Sequence, residues 1–173
     1  MRVNFFGGPC AGKSRTAPLI FSQLKDRGLS VELVLEFVKP MAYEGKEFKK
    51  HHQTWIYGNQ MYLEYQYLVK GVKNIVTDSP AILGAVYAQS EDIRRAIHML
   101  YREYDADFPS VNIFLERRDK EYQTEGRFQN LEGAKKVDEE IRRMLDRRGY
   151  PYETFPYHAR HAILDYVLTK IDR

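Results

Sequence analysis

Short apolar runs alternate with longer amphipathic stretches along the 173 residues of the chain. The short runs are rich in Val, Ile, Leu and aromatic residues, and turn-forming or polar residues follow them, which is typical of buried strands. The predicted strands are 3–6, 31–37, 74–78, 111–115 and 152–155. The longer stretches carry their apolar residues at helical spacing. The predicted helices are 13–27, 53–70, 79–88, 90–104, 131–148 and 158–171.

This regular alternation predicts a three-layer α/β/α sandwich with a parallel five-stranded sheet. No internal repeat or low-complexity segment divides the chain, so a single domain over residues 1–173 is expected. In open parallel sheets, ligands bind beyond the carboxyl ends of the strands. The residues that directly follow each predicted strand are therefore the first candidates for a functional site.

The first predicted strand runs into the segment GGPCAGKS, which fits the phosphate-loop pattern G-x-x-x-x-G-K-[ST] at each fixed position. Glycines let the backbone N–H groups turn toward phosphate oxygens, and the N-terminus of the following helix adds partial positive charge. Lys13 is expected to neutralise the β- and γ-phosphates of a bound nucleotide, and the Ser14 hydroxyl to ligate Mg²⁺. The predicted nucleotide-binding residues are Gly7, Gly8, Pro9, Cys10, Ala11, Gly12, Lys13, Ser14 and Arg15.

Carboxylates follow the second and third predicted strands. Glu36 is placed to accept the proton of an attacking hydroxyl, and Lys39 to hold an anionic group of the substrate. Asp78 is placed as a ligand of Mg²⁺ or as an acceptor for the substrate hydroxyl. Structural roles stay open at this point: Asp78 as a helix cap, and Glu36 as an ion-pair partner or a solvated strand end.

The polar stretch after the fourth predicted strand, about residues 117–131, is interpreted as a lid that carries arginines to the phosphates. Arg127 beside Gly126 is the first candidate for the catalytic arginine, and Arg117 is the second. Surface charge is the alternative role for either arginine.

Composition narrows the class of protein. The chain has no N-K-x-D motif, which argues against a GTPase, and little room for the separate lid domain of a motor ATPase. The net charge of +3 is too small to indicate a nucleic-acid partner by itself. One cysteine excludes an internal disulfide. No signal peptide or membrane-spanning run is apparent, so a cytoplasmic protein without a membrane partner is expected.

The chain is rich in aromatic residues, with 13 Tyr, and many of them fall within the segment 39–70. This segment is predicted to bind the phosphate acceptor, since aromatic rings stack on bases and a glutamine amide can pair with a base edge. Its predicted contacts are Trp55, Gln60 and Tyr62, and Gln53 lies seven positions before Gln60. The alternative is that this aromatic stripe belongs to the core.

These features together resemble the P-loop nucleoside and nucleotide kinases, and most closely the AAA branch that contains the nicotinamide-riboside kinase domain and its phage-encoded relatives. The resemblance rests on GGPCAGKS, EF after the second strand, DSP after the third, YREYDADFPSVNIFLER, and DEEIRRMLDRRGYPYETF. It spans nearly the whole chain, although only the phosphate-loop motif is highly specific. It implies the strand order 2-3-1-4-5, ATP as the donor, an arginine on the lid, and Glu36 as the base acting on a sugar hydroxyl.

Three functions are compatible with these residues. The first is a kinase for a small nucleoside or nucleotide acceptor. The second, by resemblance to phage relatives, is a kinase for a hydroxymethylated base in DNA, with 5-hydroxymethyluracil as the acceptor to test. The third is an ATP-binding regulatory switch with slow hydrolysis. The Glu36 carboxylate and the arginines of the predicted lid favour phosphoryl transfer over ATP binding alone. A monomer or a homodimer is expected.

Overall fold

The computed structural model describes residues 1–117 and 131–171. The strands are β1 (Arg2–Phe6), β2 (Val31–Val34), β3 (Asn74–Thr77), β4 (Ser110–Glu116) and β5 (Tyr152–Pro156). The helices are α1 (Lys13–Lys25), α2 (Lys39–Tyr43), α3 (His52–Leu68), α4 (Leu83–Tyr87), α5 (Glu91–Asp107), α6 (Leu131–Arg148) and α7 (Arg160–Leu168).

The five strands form one parallel sheet in the order β2-β3-β1-β4-β5. This order confirms the one implied by the sequence resemblance. β1 lies at the centre, with Val3 opposite Val76 on one side and opposite Val111 on the other. The carboxyl ends of β1, β2 and β3 therefore lie next to one another, and the loops that follow them carry the phosphate-loop motif and the candidate carboxylates.

Alternate residues of β1 enter two separate cores, as the two-residue period of a strand requires. Val3 and Phe5 pack with α1 and α7, whereas Phe6 packs with α3, α4, α5 and α6. Helices thus cover both faces of the sheet, which confirms the predicted three-layer sandwich. Arg2 and Asn4 are fully buried on the same side as Phe6, so this core contains polar groups as well as apolar ones.

Two predicted boundaries differ from the structure near the carboxyl edge of the sheet. β2 ends at Val34 rather than at residue 37, because the backbone of Leu35 and Phe37 bonds to the Gln60 side chain instead of to a neighbouring strand. α4 begins at Leu83 rather than at Ser79, so an irregular loop follows Asp78. Both differences lengthen the loops that carry the candidate carboxylates. In contrast, α6 has the predicted bounds.

Within residues 1–117 and 131–171, no helix has both the length and the apolar character needed to cross a lipid bilayer.

Candidate active site

The phosphate loop leaves β1 in a tight curve that ends at the N-terminus of α1. Cys10 has a φ of 63°, which is uncommon for a residue with a side chain, and Gly12 has a φ of 95°. The backbone N–H groups of Arg15 and Thr16 bond to the Gly12 carbonyl, so α1 begins directly at the loop. Left-handed residues between ordinary ones turn successive N–H groups toward one concave side, which is the arrangement that binds anions.

Lys13 curls back over this loop. Its Nζ donates to the Gly7 carbonyl at 2.5 Å and to the Gly8 carbonyl at 3.0 Å. Residues Pro9 to Ser14 of the loop line the main cavity of the protein, which is described below. Gly7 and Gly8, at the start of the loop, are buried and do not line it. Arg15 is exposed and does not line the cavity. The structure therefore brings most of the predicted nucleotide-binding residues together, with Arg15 placed outside.

The loop is held from behind by α6. Asp138 Oδ1 accepts the Gly8 N–H at 2.5 Å, and Asp138 Oδ2 lies 2.5 Å from Arg117 Nε. Arg117 also donates to the carbonyl oxygens of Pro9 at 3.2 Å and Ala134 at 3.1 Å. A Cβ on Gly8 would lie 2.7 Å from the Ala134 carbonyl oxygen, so only glycine permits this close approach. Arg117, predicted as a lid arginine, is thus engaged in fixing the phosphate loop.

The main cavity has a volume of about 500 Å³ and lies beyond the carboxyl ends of β1, β2 and β3. The phosphate loop forms one wall, and Glu36, Lys39 and Asp78 line the same space. In the sequence, Glu36 and Lys39 belong to the end of the second predicted strand, and Asp78 to the end of the third. The parallel order of the sheet places them around one cavity together with Lys13.

The side chain of Asp78 bonds to the backbone of Glu36: Asp78 Oδ1 accepts the Glu36 N–H at 3.1 Å. Asp78 is 3% exposed, and burial together with the Glu36 carboxylate raises the pKa of Asp78. Lys13 and Lys39 act in the opposite sense and lower the pKa of Asp78. Since α4 begins only at Leu83, Asp78 does not cap that helix.

The buried face of α3 is polar. Gln53, Tyr57, Gln60 and Glu64 lie on it, followed by Leu68. Gln60 lines the cavity as predicted, but its Oε1 accepts the Phe37 N–H at 2.8 Å and its Nε2 donates to the Leu35 carbonyl at 3.4 Å. The Gln60 amide is therefore engaged with the backbone that flanks Glu36.

Gln53 presents the opposite case on the same helix face. It is 8% exposed and lines the cavity, yet its side-chain amide makes no hydrogen bond within residues 1–117 and 131–171. Gly84 packs closely against the Gln53 amide: a Cβ added at Gly84 would lie 3.2 Å from Gln53 Nε2. Gln53 was recognisable from its place seven residues before Gln60, but nothing in the sequence showed which of the two amides is available to a ligand.

Trp55 and Tyr62 are not brought to the cavity. They lie on the outer face of α3, where Trp55 is 48% exposed and Tyr62 is 61% exposed. The ring of Trp55 packs edge-on against Phe37, with ring centres 4.9 Å apart. Tyr65 is 43% exposed on the same outer face. None of these three aromatic residues lines the main cavity or belongs to the buried core, because the buried side of the helix is the one with Gln53 and Gln60.

A buried charge cluster supports the loop that follows β3, and sequence reasoning missed it. Glu64 has no exposed surface; its Oε1 accepts the Ala81 N–H at 2.8 Å, and its Oε2 lies 3.5 Å from Arg2 Nη1. Arg2 also pairs with Asp105 and donates to the Phe108 carbonyl at 2.7 Å. Burial raises the pKa of Glu64 to about 7, although Arg2 and the Ala81 N–H oppose the shift.

A second hollow, of about 350 Å³, lies on the other side of the phosphate loop. Residues that follow β4 and β5 line it, among them Arg117, Tyr157 and His158. The loop and this hollow adjoin at Gly12, where an added Cβ would lie 3.1 Å from Tyr157 Cβ. This close approach, together with the φ of Gly12, requires glycine at that position.

Arg127 and most of the predicted lid lie outside the described residues. Within residues 1–117 and 131–171, no cluster of three or more His, Cys, Asp or Glu side chains is arranged to hold a metal ion. Ser14 and Asp78 both line the main cavity, and they supply the hydroxyl and carboxylate oxygens that Mg²⁺ prefers. These two residues fit the predicted ion as protein ligands that leave its other positions to water and phosphate.

A family model described as AAA domain matches residues 2–160. No curated protein sequence gives a significant match. The family match confirms the AAA part of the resemblance, and the strand order confirms the fold that the resemblance implied.

Among solved structures, deoxyadenosine kinase from M. mycoides, with the products dCMP and a flexible dCDP bound, is 14% identical with a TM-score of 0.59, covering 98% of each chain. The same kinase with bound dATP is 13% identical with a TM-score of 0.57, again over 98% of each chain. The NadR protein in complex with NAD and AMP-PNP is 16% identical with a TM-score of 0.66, covering 99% of this chain and 51% of that one. At these identities the structural likeness concerns the fold.

Proposed function

This chain belongs to the AAA domain family, and from that membership and the geometry of its site we propose that it is an ATP-dependent kinase. It transfers the γ-phosphate of ATP to a hydroxyl of a nucleoside- or nucleotide-type acceptor. One observation carries the proposal: the phosphate loop, Glu36 and Asp78 line a single cavity of about 500 Å³. That cavity can place a γ-phosphate and an acceptor hydroxyl against the same two carboxylates.

The phosphate loop and Lys13 bind the phosphates of ATP. We assign the hollow beside Gly12 to the remainder of the nucleotide, because it adjoins the loop on the side away from the carboxylates. Lys13 Nζ contacts two loop carbonyl oxygens, and in the complex it exchanges them for phosphate oxygens of opposite charge. Ser14 and Asp78 would hold Mg²⁺, which would neutralise part of the phosphate charge.

Glu36 is the general base of the transfer. Its carboxylate takes the proton of the acceptor hydroxyl while the hydroxyl oxygen bonds to the γ-phosphorus, and the bond from that phosphorus to the β-γ bridging oxygen breaks to release ADP. Asp78 fixes the backbone of Glu36 through the 3.1 Å hydrogen bond. Arg127 remains the proposed lid arginine, and Arg117 is reassigned to holding the phosphate loop.

The acceptor lies between Glu36 and the N-terminal half of α3. Gln53 is the group that we expect to pair with polar atoms of the acceptor, because its amide faces the cavity without a hydrogen-bond partner among the described residues. Lys39 is near enough to the carboxylates to influence the pKa of Asp78, and it serves an anionic group of the acceptor. A small acceptor is the first expectation.

A second candidate is a kinase for 5-hydroxymethyluracil within DNA. Its support is that Lys49 and Lys50 line the cavity on the acceptor side. Cations at the mouth of the cavity suit an acceptor that continues into a phosphate backbone. The proposed reaction requires no second copy of the chain, since each proposed residue comes from one chain.

Transfer of label from γ-labelled ATP tests the proposal. The acceptors to compare are nucleosides, nucleoside monophosphates, nicotinamide riboside and DNA with or without hydroxymethylated bases. Label in a small acceptor that disappears with Lys13→Ala supports the first candidate, whereas label confined to hydroxymethylated DNA supports the second. Slow release of labelled phosphate with no labelled acceptor contradicts both candidates and favours an ATP-binding switch.

A further inference from the structure

Two polar side chains on the buried face of α3 each hold one of the loops that carry the proposed catalytic carboxylates. Gln60 bonds to the backbone on both sides of Glu36, through the Phe37 N–H at 2.8 Å and the Leu35 carbonyl at 3.4 Å. Glu64, one turn further along, accepts the Ala81 N–H at 2.8 Å, three residues after Asp78. Both side chains are 5% exposed or less.

These contacts close into a ring, because Asp78 Oδ1 accepts the Glu36 N–H at 3.1 Å. The path runs from Gln60 to the loop of Glu36, across to Asp78, along the backbone to Ala81, and back to α3 at Glu64. The Asp78 carboxylate and the backbone that carries Glu36 therefore cannot move apart without breaking a bond in the ring or moving the helix.

We propose that Gln60 and Glu64 are positioning residues, which fix Glu36 and Asp78 relative to each other from a single helix, and that Gln60 does not recognise the acceptor. This inference rests on the proposed transfer reaction. It assigns separate tasks to two glutamines of one helix face: Gln60 sets the general base, and Gln53 is left to contact the acceptor. Acceptor binding against α3 is thereby tied to the alignment of the base.

The charge cluster behind Glu64 links this arrangement to the central strand. Arg2 lies at the start of the central strand, and its guanidinium carbon is 4.9 Å from the ring centre of Tyr101 and 4.2 Å from that of Tyr104. Arg2 is fully buried between Glu64 and Asp105, so the Glu64 carboxylate is fixed to the sheet itself. Misplacement of a reacting group by about 1 Å costs on the order of 100-fold in rate, so fixed carboxylates matter for turnover.

Steady-state kinetics of three glutamine variants test the proposal. Gln60→Leu removes both loop contacts, and we expect kcat to fall about 10- to 100-fold while KM for ATP and for the acceptor changes by less than about threefold. Gln60→Glu keeps an oxygen for the Phe37 N–H and should recover most of the lost kcat. Gln66→Leu is the matched control and should leave both constants unchanged, because among the described residues the Gln66 amide bonds only to the Leu63 carbonyl of its own helix, at 3.5 Å.

An effect of Gln60→Leu on the KM of the acceptor instead of on kcat would overturn the proposal. If Gln60→Leu raises the KM of the acceptor more than tenfold and keeps kcat, Gln60 is a substrate contact. If neither constant changes, the loop contact has no role in turnover.

Hydrogen–deuterium exchange supplies a readout that does not depend on transfer. In the wild-type protein, the amides of Phe37 and Ala81 should exchange slowly; Gln60→Leu should speed exchange at Phe37, and Glu64→Met at Ala81. Unchanged exchange at Phe37 in folded Gln60→Leu overturns the positioning role even if no acceptor is found. If Glu64→Met does not fold, the Gln60 series decides. A wild-type protein that transfers no label, yet shows the expected exchange, contradicts the proposed function and not the ring.

Discussion

Arg117 and Asp138 form a partly buried ion pair directly behind the phosphate loop, with Arg117 Nε 2.5 Å from Asp138 Oδ2. Their side chains are 9% and 16% exposed, and each partner also bonds to the loop backbone, Asp138 at Gly8 and Arg117 at Pro9. The pair therefore joins the end of β4 and the helix α6 to the segment that is proposed to bind phosphates.

Breaking this pair should weaken ATP binding. Arg117→Met leaves a partly buried carboxylate without its cation, which costs at most about 3–5 kcal/mol, and removes the contact to Pro9. We expect the Kd for ATP to rise at least about tenfold and the melting temperature to fall, as measured by calorimetric titration and thermal unfolding. Arg143→Met is the matched control on α6: its pair with Glu139 is more than half exposed and should matter little. Equal ATP affinity in Arg117→Met and Arg143→Met would show that the pair does not shape the loop.

Glu36→Gln should separate catalysis from nucleotide binding. The amide cannot accept the proton of the acceptor hydroxyl, so turnover should fall by about 10²–10⁴-fold while the Kd for ATP stays within about threefold. Initial-rate measurements and ATP titration check the two parts. The backbone N–H of Glu36 that bonds to Asp78 is retained in this variant, so its geometry is preserved. Full activity would assign Glu36 a structural role.

Lys39→Met should shift the acid limb of the pH–rate profile to higher pH. Lys39 lowers the pKa of Asp78, and its removal leaves burial and Glu36 to raise that pKa further. If the ionised form of Asp78 is the active one, a higher pH is then needed to reach it. The measurement is kcat/KM between about pH 4 and 8, with Lys46→Met as control, since Lys46 pairs with Glu44 in an exposed position. A shift toward lower pH would contradict this assignment.

Glu64→Gln should change how stability depends on pH. Burial raises the pKa of Glu64 from 4.5 to about 7, so the folded state binds its proton more tightly than the unfolded state does. The contribution of Glu64 to stability is therefore fully present below about pH 4.5 and is lost as the pH rises to about 7. The free energy of unfolding of the wild type, relative to Glu64→Gln, should fall by up to about 3 kcal/mol across this window. Urea denaturation at pH 5 and pH 8 checks the sign; a difference that grows with pH would mean that the pKa is lowered instead.

Tyr62→Ser tests the placement of the aromatic residues. Tyr62 is 61% exposed on the outer face of α3 and does not line the cavity, so KM for the acceptor and kcat should both stay within about twofold of the wild type. Gln53→Leu, on the buried face, should raise the acceptor KM at least about tenfold, because an apolar side chain cannot pair with the polar atoms of the acceptor. Steady-state kinetics of the two variants with one acceptor make the comparison. The reverse ranking would return the acceptor site to the aromatic face.

The amino-acid sequence determined the parts of this protein that depend on local chemistry. Hydrophobic periodicity predicted each strand and the bounds of α6, since the spacing of apolar residues is a property of the chain itself. The phosphate loop was recognisable because its fixed glycines, Lys13 and Ser14 lie within eight consecutive residues. The places of Glu36 and Asp78 followed from the rule that ligands meet the carboxyl ends of parallel strands.

Only the tertiary structure decided which polar side chains are available to a ligand. Gln53 and Gln60 have the same chemistry and lie on the same face of α3, yet only Gln60 meets the backbone of Leu35 and Phe37. Arg117 was predicted for the phosphates, but Asp138, 21 residues away in sequence, holds it behind the loop. Trp55 and Tyr62 face outward because the opposite side of α3 is anchored by Glu64 to Ala81 and Arg2. Each outcome depends on contacts between residues distant in the sequence, and the period of a helix specifies a shared face without specifying its partner.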